Sequence, residues 1–425
     1  MTEVDLTASS VASDGRAVAR DSSGRVVFVA GALPGERVRA RLVEERPRYA
    51  DALVEEVLDP SPDRVRPPCG HVAEGCGGCQ WQHVGPAGQL RWKEQIISEA
   101  LRRIGRIDEV PLRATVGLPQ WGYRTTLRAA VRDGRAGLRP NRSNEVVGVD
   151  GCLVVHPLIA ELLHGPRYPG ATEVTLRCGA RTGERLAVTT PAGAGADLPP
   201  DVRGDRFHEY AAGRLWRVSA GSFFQSRPDG VDALADLVLG AAGGAGAPST
   251  ALDLYSGVGL FAGVLASAGW AVTAVEGAGS SVGDARYNLR DLPVRVVRSD
   301  VTRWRPERAD LVVADPSRNG LGRPGVEVVA GSGAGRLVLI SCDAASLGRD
   351  AGLLERAGYR LASVTPVDLF PHTFRVEAVS VFDRVRSPAP PSWPGAGRDT
   401  GGEGAGERVP GSGRRPAAQD DRGGV

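Results

Sequence analysis

Reactive side chains fall at three kinds of place in this 425-residue chain. Cys342, in SCDAASLGRD, follows the apolar run 336–340 and precedes a helical pattern over 345–355. A thiol at the start of a helix is held toward thiolate by the partial positive charge of the exposed N–H groups, which would make it a nucleophile. A buried, inert cysteine fits the same position equally well. The second place is CGHVAEGCGGCQWQH, where Cys69, Cys76 and Cys79 are separated by six and then two residues. Glycines let that loop wrap tightly enough for three thiolates to face one centre, and Cys152, in VDGCLVVHP, is the candidate fourth ligand. Four thiolates suit a [4Fe-4S] cluster and a zinc ion alike. The third place is the end of an apolar run, where Glu276, Asp300 and Asp315 stand. Glu377, in HTFRVEAVSVFDR, begins such a run, and from the residues alone an ordinary exposed strand glutamate is the favoured reading over a base.

The elements that position these groups centre on ALDLYSGVGLFAGVLASAGWAVTAVEG. A short apolar run at 251–255 predicts a buried strand, Gly257 and Gly259 a tight turn, 260–268 a helix and 271–275 a second strand. Glycines in the turn let backbone approach a ligand, and Glu276 can accept hydrogen bonds from two ribose hydroxyls. The spacing Gly257, Gly259, Gly263 is not the dinucleotide pattern, and Asp253 in the first strand suits a charged amino acid. The expected cofactor is S-adenosylmethionine. A helix over 285–292 and strands at 294–297, 310–314 and 336–340 continue the alternation, which predicts a doubly wound sheet with its ligands outside the carboxyl ends of the strands. Asp300, where a carboxylate can reach an adenine amino group, then converges with Asp315 and Cys342 on one edge. A thiolate beside a methyl donor suits uracil C5. Thiolate addition at C6 turns that carbon into a nucleophile, which a base later deprotonates.

Composition bounds the rest. A net charge of +2 gives no general affinity for nucleic acid, and the single lysine, Lys93, against 51 arginines reads as base composition of the gene. MTEVDLTASS has no export pattern and no run is long enough to span a membrane, so the expectation is a cytoplasmic, monomeric protein with no membrane partner and reduced thiols. Short strands at 25–29, 38–43 and 52–57 predict a small OB-like barrel over residues 1–59, although 8 arginines against 11 acids there do not advertise RNA. Residues 60–245 predict an α+β central domain holding the cysteine loop, a helix over 89–104, strands at 126–131 and 185–189, and a buried Cys178. Phe223, Phe224 and Gln225 read as its last strand. The doubly wound domain spans 246–386, and 387–425, rich in Pro, Gly and Arg, predicts a disordered tail.

In order, CGHVAEGCGGCQWQH, FFQ, LDLYSGVGLF, VEG, DPSRNGLG, SCDAASLGRD and HTFRVEAV resemble the TrmA/RumA-type family of class I S-adenosylmethionine-dependent RNA 5-methyluridine methyltransferases, over roughly residues 4–385. GALPGERVRARLVEERPRYADALVEEVLDPSPDR likewise resembles a TRAM domain, an RNA-binding barrel. The resemblance implies Cys342 as nucleophile, Glu377 as base, and Gln225, Tyr255, Leu260, Glu276, Asp300 and Asp315 as the donor site. It also implies Cys69, Cys76, Cys79 and Cys152 as ligands of a [4Fe-4S] cluster, Phe223 as a platform under a flipped-out nucleotide, and rRNA or tRNA as partner. Three departures remove no functional group: Ser317 replaces the family's second proline or alanine, Ala344 its proline after the nucleophile, and the first cysteine interval is six residues instead of five. Cytosine C5 methylation would need another cysteine motif, and radical chemistry would need CxxxCxxC. A non-catalytic RNA-binding factor would have no use for Cys342 and Glu377.

Overall fold

The computed structural model describes residues 2–140, 145–244 and 249–385. The predicted disordered tail lies outside the described residues. Five strands, β1 (Glu3–Val11), β2 (Ala17–Arg20), β3 (Val26–Ala30), β4 (Arg37–Glu45) and β5 (Tyr49–Asp59), close into a barrel in the order β1-β2-β3-β5-β4. Alternation drives it: Leu6, Ala8, Ala17, Ala19, Val27, Val29, Val38, Ala40, Ala50 and Ala52 point inward and are buried, with alanine common because so small a barrel has little room. The outer arginines are paired with acids, Arg39 with Asp5 and Glu56, Arg41 with Glu55, and Arg25 with Asp21.

The chain then runs through the cysteine loop into α1 (Pro86–Arg103), whose N-terminal proline suits a first turn that needs no N–H there. Next come β6 (Thr126–Arg132), β7 (Arg135–Gly137), α2 (Pro157–His164), β8 (Glu173–Cys178), β9 (Arg185–Thr190) and β10 (Val202–Arg203). They form a five-stranded sheet in the order β10-β9-β8-β6-β7. Its core contains Leu127, Ile159, Leu162, Tyr168, Leu176 and Cys178, the last fully buried as its strand position predicts. A hairpin of β11 (Arg206–Ala211) and β12 (Arg214–Ser219) follows, then α3 (Pro228–Ala242). Phe223 to Gln225 are not a strand but the loop between β12 and α3. Phe224 buries its ring in the core while Phe223 is 70% exposed, a split that a loop permits.

The remaining elements are β13 (Thr250–Leu254), α4 (Leu260–Ser267), β14 (Ala271–Glu276), α5 (Gly279–Asn288), β15 (Val294–Arg298), β16 (Leu311–Ala314), α6 (Gly322–Ser332), β17 (Arg336–Ser341), α7 (Ala344–Arg356), β18 (Tyr359–Val367) and β19 (Glu377–Arg384). The seven strands lie in the order β15-β14-β13-β16-β17-β19-β18. β15, β14, β13, β16 and β17 pair in parallel, and β19 is antiparallel to both of its neighbours. Continuous apolar runs such as Leu311–Ala314 suit strands covered on both faces. α5 begins at Gly279 and ends at Asn288, earlier than the helix expected over 285–292, because Ser281, Val282, Ala285 and Asn288 form its buried side. One core joins α3, α4, Trp216 and Phe207 to the sheet, and a second joins α1 and α7 to Leu254, Val312 and Leu339. No helix among the described residues is long and apolar enough to cross a membrane.

Candidate active site

Three adjacent strands bring together the residues for chemistry. Asp315 directly follows β16, Cys342 directly follows β17, and Glu377 is the first residue of β19, which lies beside β17. Because β19 runs backwards, its beginning reaches the same edge as the carboxyl ends of the other two. A cleft of about 760 Å³ opens there, lined by Phe223, Gln225, Tyr255, Leu260, Glu276, Asp315, Cys342 and Glu377. Glu377 is 2% exposed, contrary to its reading as an exposed strand glutamate, and its Oε1 is buried without a hydrogen-bond partner.

The turn after β13 builds the floor on the donor side. Tyr255, Gly257 and Gly259 all have positive φ, at 60°, 55° and 94°. A Cβ on Gly259 would meet Leu289 Cδ1 at 2.6 Å, so helix packing and backbone conformation both require glycine there. Nothing lies within 4 Å of a Cβ on Gly257, leaving open space above that turn. Glu276 accepts hydrogen bonds from Gly257 N–H at 2.9 Å and Ala278 N–H at 2.7 Å, which aims its carboxylate across the turn. Ser256 also lines the cleft, and its Oγ is buried without a partner. Leu260 opens α4 at the cleft wall, and Gln225 arrives on the loop before α3.

Two further acids lie outside the lining of the cleft. Asp300 caps the short helical turn Val301–Arg303, accepting from Thr302 N–H at 2.8 Å and Thr302 Oγ1 at 2.7 Å, and it is not among the lining residues. Burial, with smaller contributions from the Asp300 and Asp350 charges, raises the Tyr255 hydroxyl to about 12. Asp253 is fully buried beneath the turn and accepts from Ala262 N–H at 2.7 Å, so it braces α4 and does not face a ligand's charged group.

Electrostatics correct a further expectation. Burial pushes the Cys342 thiol up to about 11 and the Glu377 and Asp315 charges add to this, while Arg318 and a backbone hydrogen bond at Cys342 oppose them without outweighing burial. The cap of α7 is Asp343, whose carboxylate accepts from Ser346 N–H at 2.8 Å and so occupies part of the donor group that was to stabilise the sulfur. Burial likewise raises Asp315 to about 7, and it raises Glu377 well above the carboxylate range, with the Asp315 charge adding to the latter.

Sequence reasoning missed three arginines. Arg124, Arg318 and Arg375 line the cleft, and none forms an ion pair with a carboxylate among the described residues. Desolvation lowers Arg375, and repulsion from Arg318 and Arg124 lowers it further, so the three cations sit close together. Among so many arginines nothing in the sequence distinguished them.

A separate small cavity is lined by Cys69, Cys76, Cys79 and Cys152 together with Gln82, Arg124 and Leu138. Burial raises the Cys76 and Cys79 thiols, and in both the other cysteines add to the effect. The four sulfurs thus share one neighbourhood although Cys152 is remote in sequence. Among the described residues, no group of three or more His, Cys, Asp or Glu is arranged as a metal site.

Comparison with known proteins supplies relatives. Residues 2–54 match the TRAM domain. A protein of Streptomyces coelicolor named as an uncharacterized RNA methyltransferase is 36% identical over 90% of this chain and 93% of its own. The 23S rRNA (uracil(1939)-C(5))-methyltransferase RlmD of Pseudomonas entomophila is 34% identical over 88% of this chain and 92% of its own. In fold, the chain is similar to the Pyrococcus abyssi tRNA (uracil-54, C5)-methyltransferase solved with S-adenosyl-L-homocysteine, with a TM-score of 0.69, 21% identity, and coverage of 89% of this chain and 99% of that one. With full-length relatives above 30% identity, a TRAM barrel and this sheet order, the chain belongs to the TrmA/RumA-type family of RNA (uracil-C5) methyltransferases.

Proposed function

We propose that this protein transfers a methyl group from S-adenosylmethionine to C5 of a uridine in RNA through a covalent adduct on Cys342. The observation that carries the reading is the placement of a thiol, a buried carboxyl and a glycine-turn ligand site in one cleft. Open space over Gly257, the unpartnered Ser256 Oγ and the aimed Glu276 carboxylate fit the donor, which supplies a methyl group on a sulfonium.

Cys342 adds to C6 of the uracil, and the electron pair displaced from the C5–C6 double bond makes C5 the nucleophile toward the methyl group. C5 then bears both hydrogen and methyl. Glu377 removes that hydrogen as a proton, the pair re-forms the double bond, and the C6–S bond breaks to return the thiolate. Burial and the neighbouring carboxylate charges raise the Cys342 pKa, so its proton must leave before addition, and it must leave to solvent so that Glu377 is ionised when it takes the C5 proton.

Three arginines at the cleft without carboxylate partners among the described residues suit the phosphates of a polyanion, and Phe223, a 70% exposed aromatic on the lining of the same cleft, suits stacking under an extruded base. RNA chemistry on a base in a folded region requires such extrusion. The similarity to RlmD makes ribosomal RNA the first substrate to test, with tRNA second. Labelled methyl transfer to rRNA from cells lacking this gene should be catalysed by the wild-type protein and abolished in Cys342→Ala. Turnover by that variant would remove the mechanism.

Cys69, Cys76, Cys79 and Cys152 fit a four-thiolate group by their donor chemistry and by facing one cavity. The reading is that they hold a [4Fe-4S] cluster, which ties the cysteine loop to the 150–155 segment. Protein purified without air should be brown and contain about four irons per chain; stoichiometric zinc without iron would decide for the other thiolate metal.

A further inference from the structure

The connection from β18 to β19 is longer than the strands require. The two pair antiparallel as far as Val367 with Glu377, so a tight turn could have closed them, yet residues 368–376 intervene. That loop carries Phe370 and Arg375 into the cleft and delivers Glu377. Left to itself, a nine-residue loop would leave the chain entering Glu377, the first and least supported residue of β19, without fixed direction.

Groups from outside the seven-stranded sheet hold it instead. Lys93 in α1, the only lysine of the chain, is fully buried, pairs with Asp368 and donates to Phe370 O at 3.0 Å. One turn earlier in α1, Gln89 accepts from His372 N–H at 2.6 Å and donates to Val84 O at 2.8 Å. Trp81 N–H donates to His372 O at 2.8 Å, and Tyr123 O–H donates to Pro371 O at 3.1 Å. His372 is held at a φ of 64°, a conformation that a non-glycine residue adopts only where its surroundings impose it. A buried ion pair is a poor way to gain stability, since two apolar side chains would fill the space without desolvating charge. What the pair adds is direction: one ammonium fixes both a carboxylate and a backbone carbonyl in the loop.

We infer that Lys93 and Gln89 are positioning residues for methyl transfer, acting through loop 368–376 to set Glu377 against the C5 proton. The inference rests on the proposed covalent mechanism. If it holds, loosening the loop slows the last step, and enzyme accumulates as a covalent complex on ordinary uridine RNA, as Glu377→Gln should also do.

Lys93→Met leaves Asp368 buried and unpaired and can fail to fold, so the deciding proteins are Lys93→Met/Asp368→Leu, which removes both charges, and Gln89→Leu, which keeps the ion pair. Each should bind S-adenosylhomocysteine within about twofold of wild type, keep its KM for RNA, lose on the order of ten- to a hundredfold in kcat, and show the adduct on a denaturing gel. Wild-type kcat without adduct, a change confined to KM, or a loss of kcat without adduct in a folded variant would each overturn the positioning role. Separately, wild-type protein is offered RNA containing 5-fluorouridine. If that protein forms no adduct, it is the proposed mechanism that fails, whatever the variants do.

Discussion

Burial works against the nucleophile before substrate arrives. The Cys342 thiol, pushed up to about 11 by desolvation and by Glu377 and Asp315, is protonated near neutral pH, so in the proposed reaction it must lose its proton before it can add to a ring. A thiol whose pKa is raised gains thiolate only as pH rises toward that pKa. Alkylation of Cys342 by iodoacetamide in the free protein should therefore be about a hundredfold slower at pH 7 than that of an ordinary exposed thiol, and should still be rising above pH 10; peptide mapping follows the rate, and a plateau near pH 8 would contradict it. In the sequence, the thiol and the carboxylates were legible because strand ends in a doubly wound sheet are where ligands meet. The state of the thiol was not. The helix argument overlooked Asp343, which takes the cap, and no sequence pattern shows that Glu377 and Asp315 will crowd the sulfur. Asp300 stands where its place in the chain predicts, just past β15, with one carboxylate oxygen capping the turn that follows.

At the scale of elements, one reversed strand creates the site, since only an antiparallel β19 can begin where β16 and β17 end. Apolar alternation and glycine turns made β13, α4, β14 and β17 readable to within about two residues. The hairpin β11–β12 and helix α3 were not read. Their function in the fold is to cover the sheet with Trp216, Val231 and Leu234, a tertiary demand with no local signature. The barrel meets the loop before β19 through its first turn. Gly15 has a φ of 83°, a Cβ there would lie 2.5 Å from Phe374 Cβ, and its carbonyl accepts from Trp81 Nε1 at 2.9 Å. Gly15→Val should therefore cost about 1–3 kcal/mol in denaturant unfolding, through the clash and the unfavourable backbone conformation. A variant as stable as wild type would show that the turn is free to move off Phe374.

Across the whole molecule, charge is arranged locally. The chain is nearly neutral and most of the barrel's arginines are paired with acids, while Arg124, Arg318 and Arg375 gather at the cleft. Arg124 also lines the cysteine cavity, which puts one side chain between the two sites. Barrel, cysteine loop and α1 all reach the segment that ends in Glu377, through Gly15, Trp81 and Lys93, so three parts of the fold outside the seven-stranded sheet support the strand that would finish the reaction. The most direct test of the account is incubation with S-adenosylmethionine and an rRNA fragment carrying 5-fluorouridine at the target position, read by denaturing gel and mass mapping. Fluorine cannot leave as a proton does, so the account predicts a stable protein–RNA complex joined through Cys342 and already methylated. A complex joined through any other residue, or methylated RNA released with no complex formed, would contradict it.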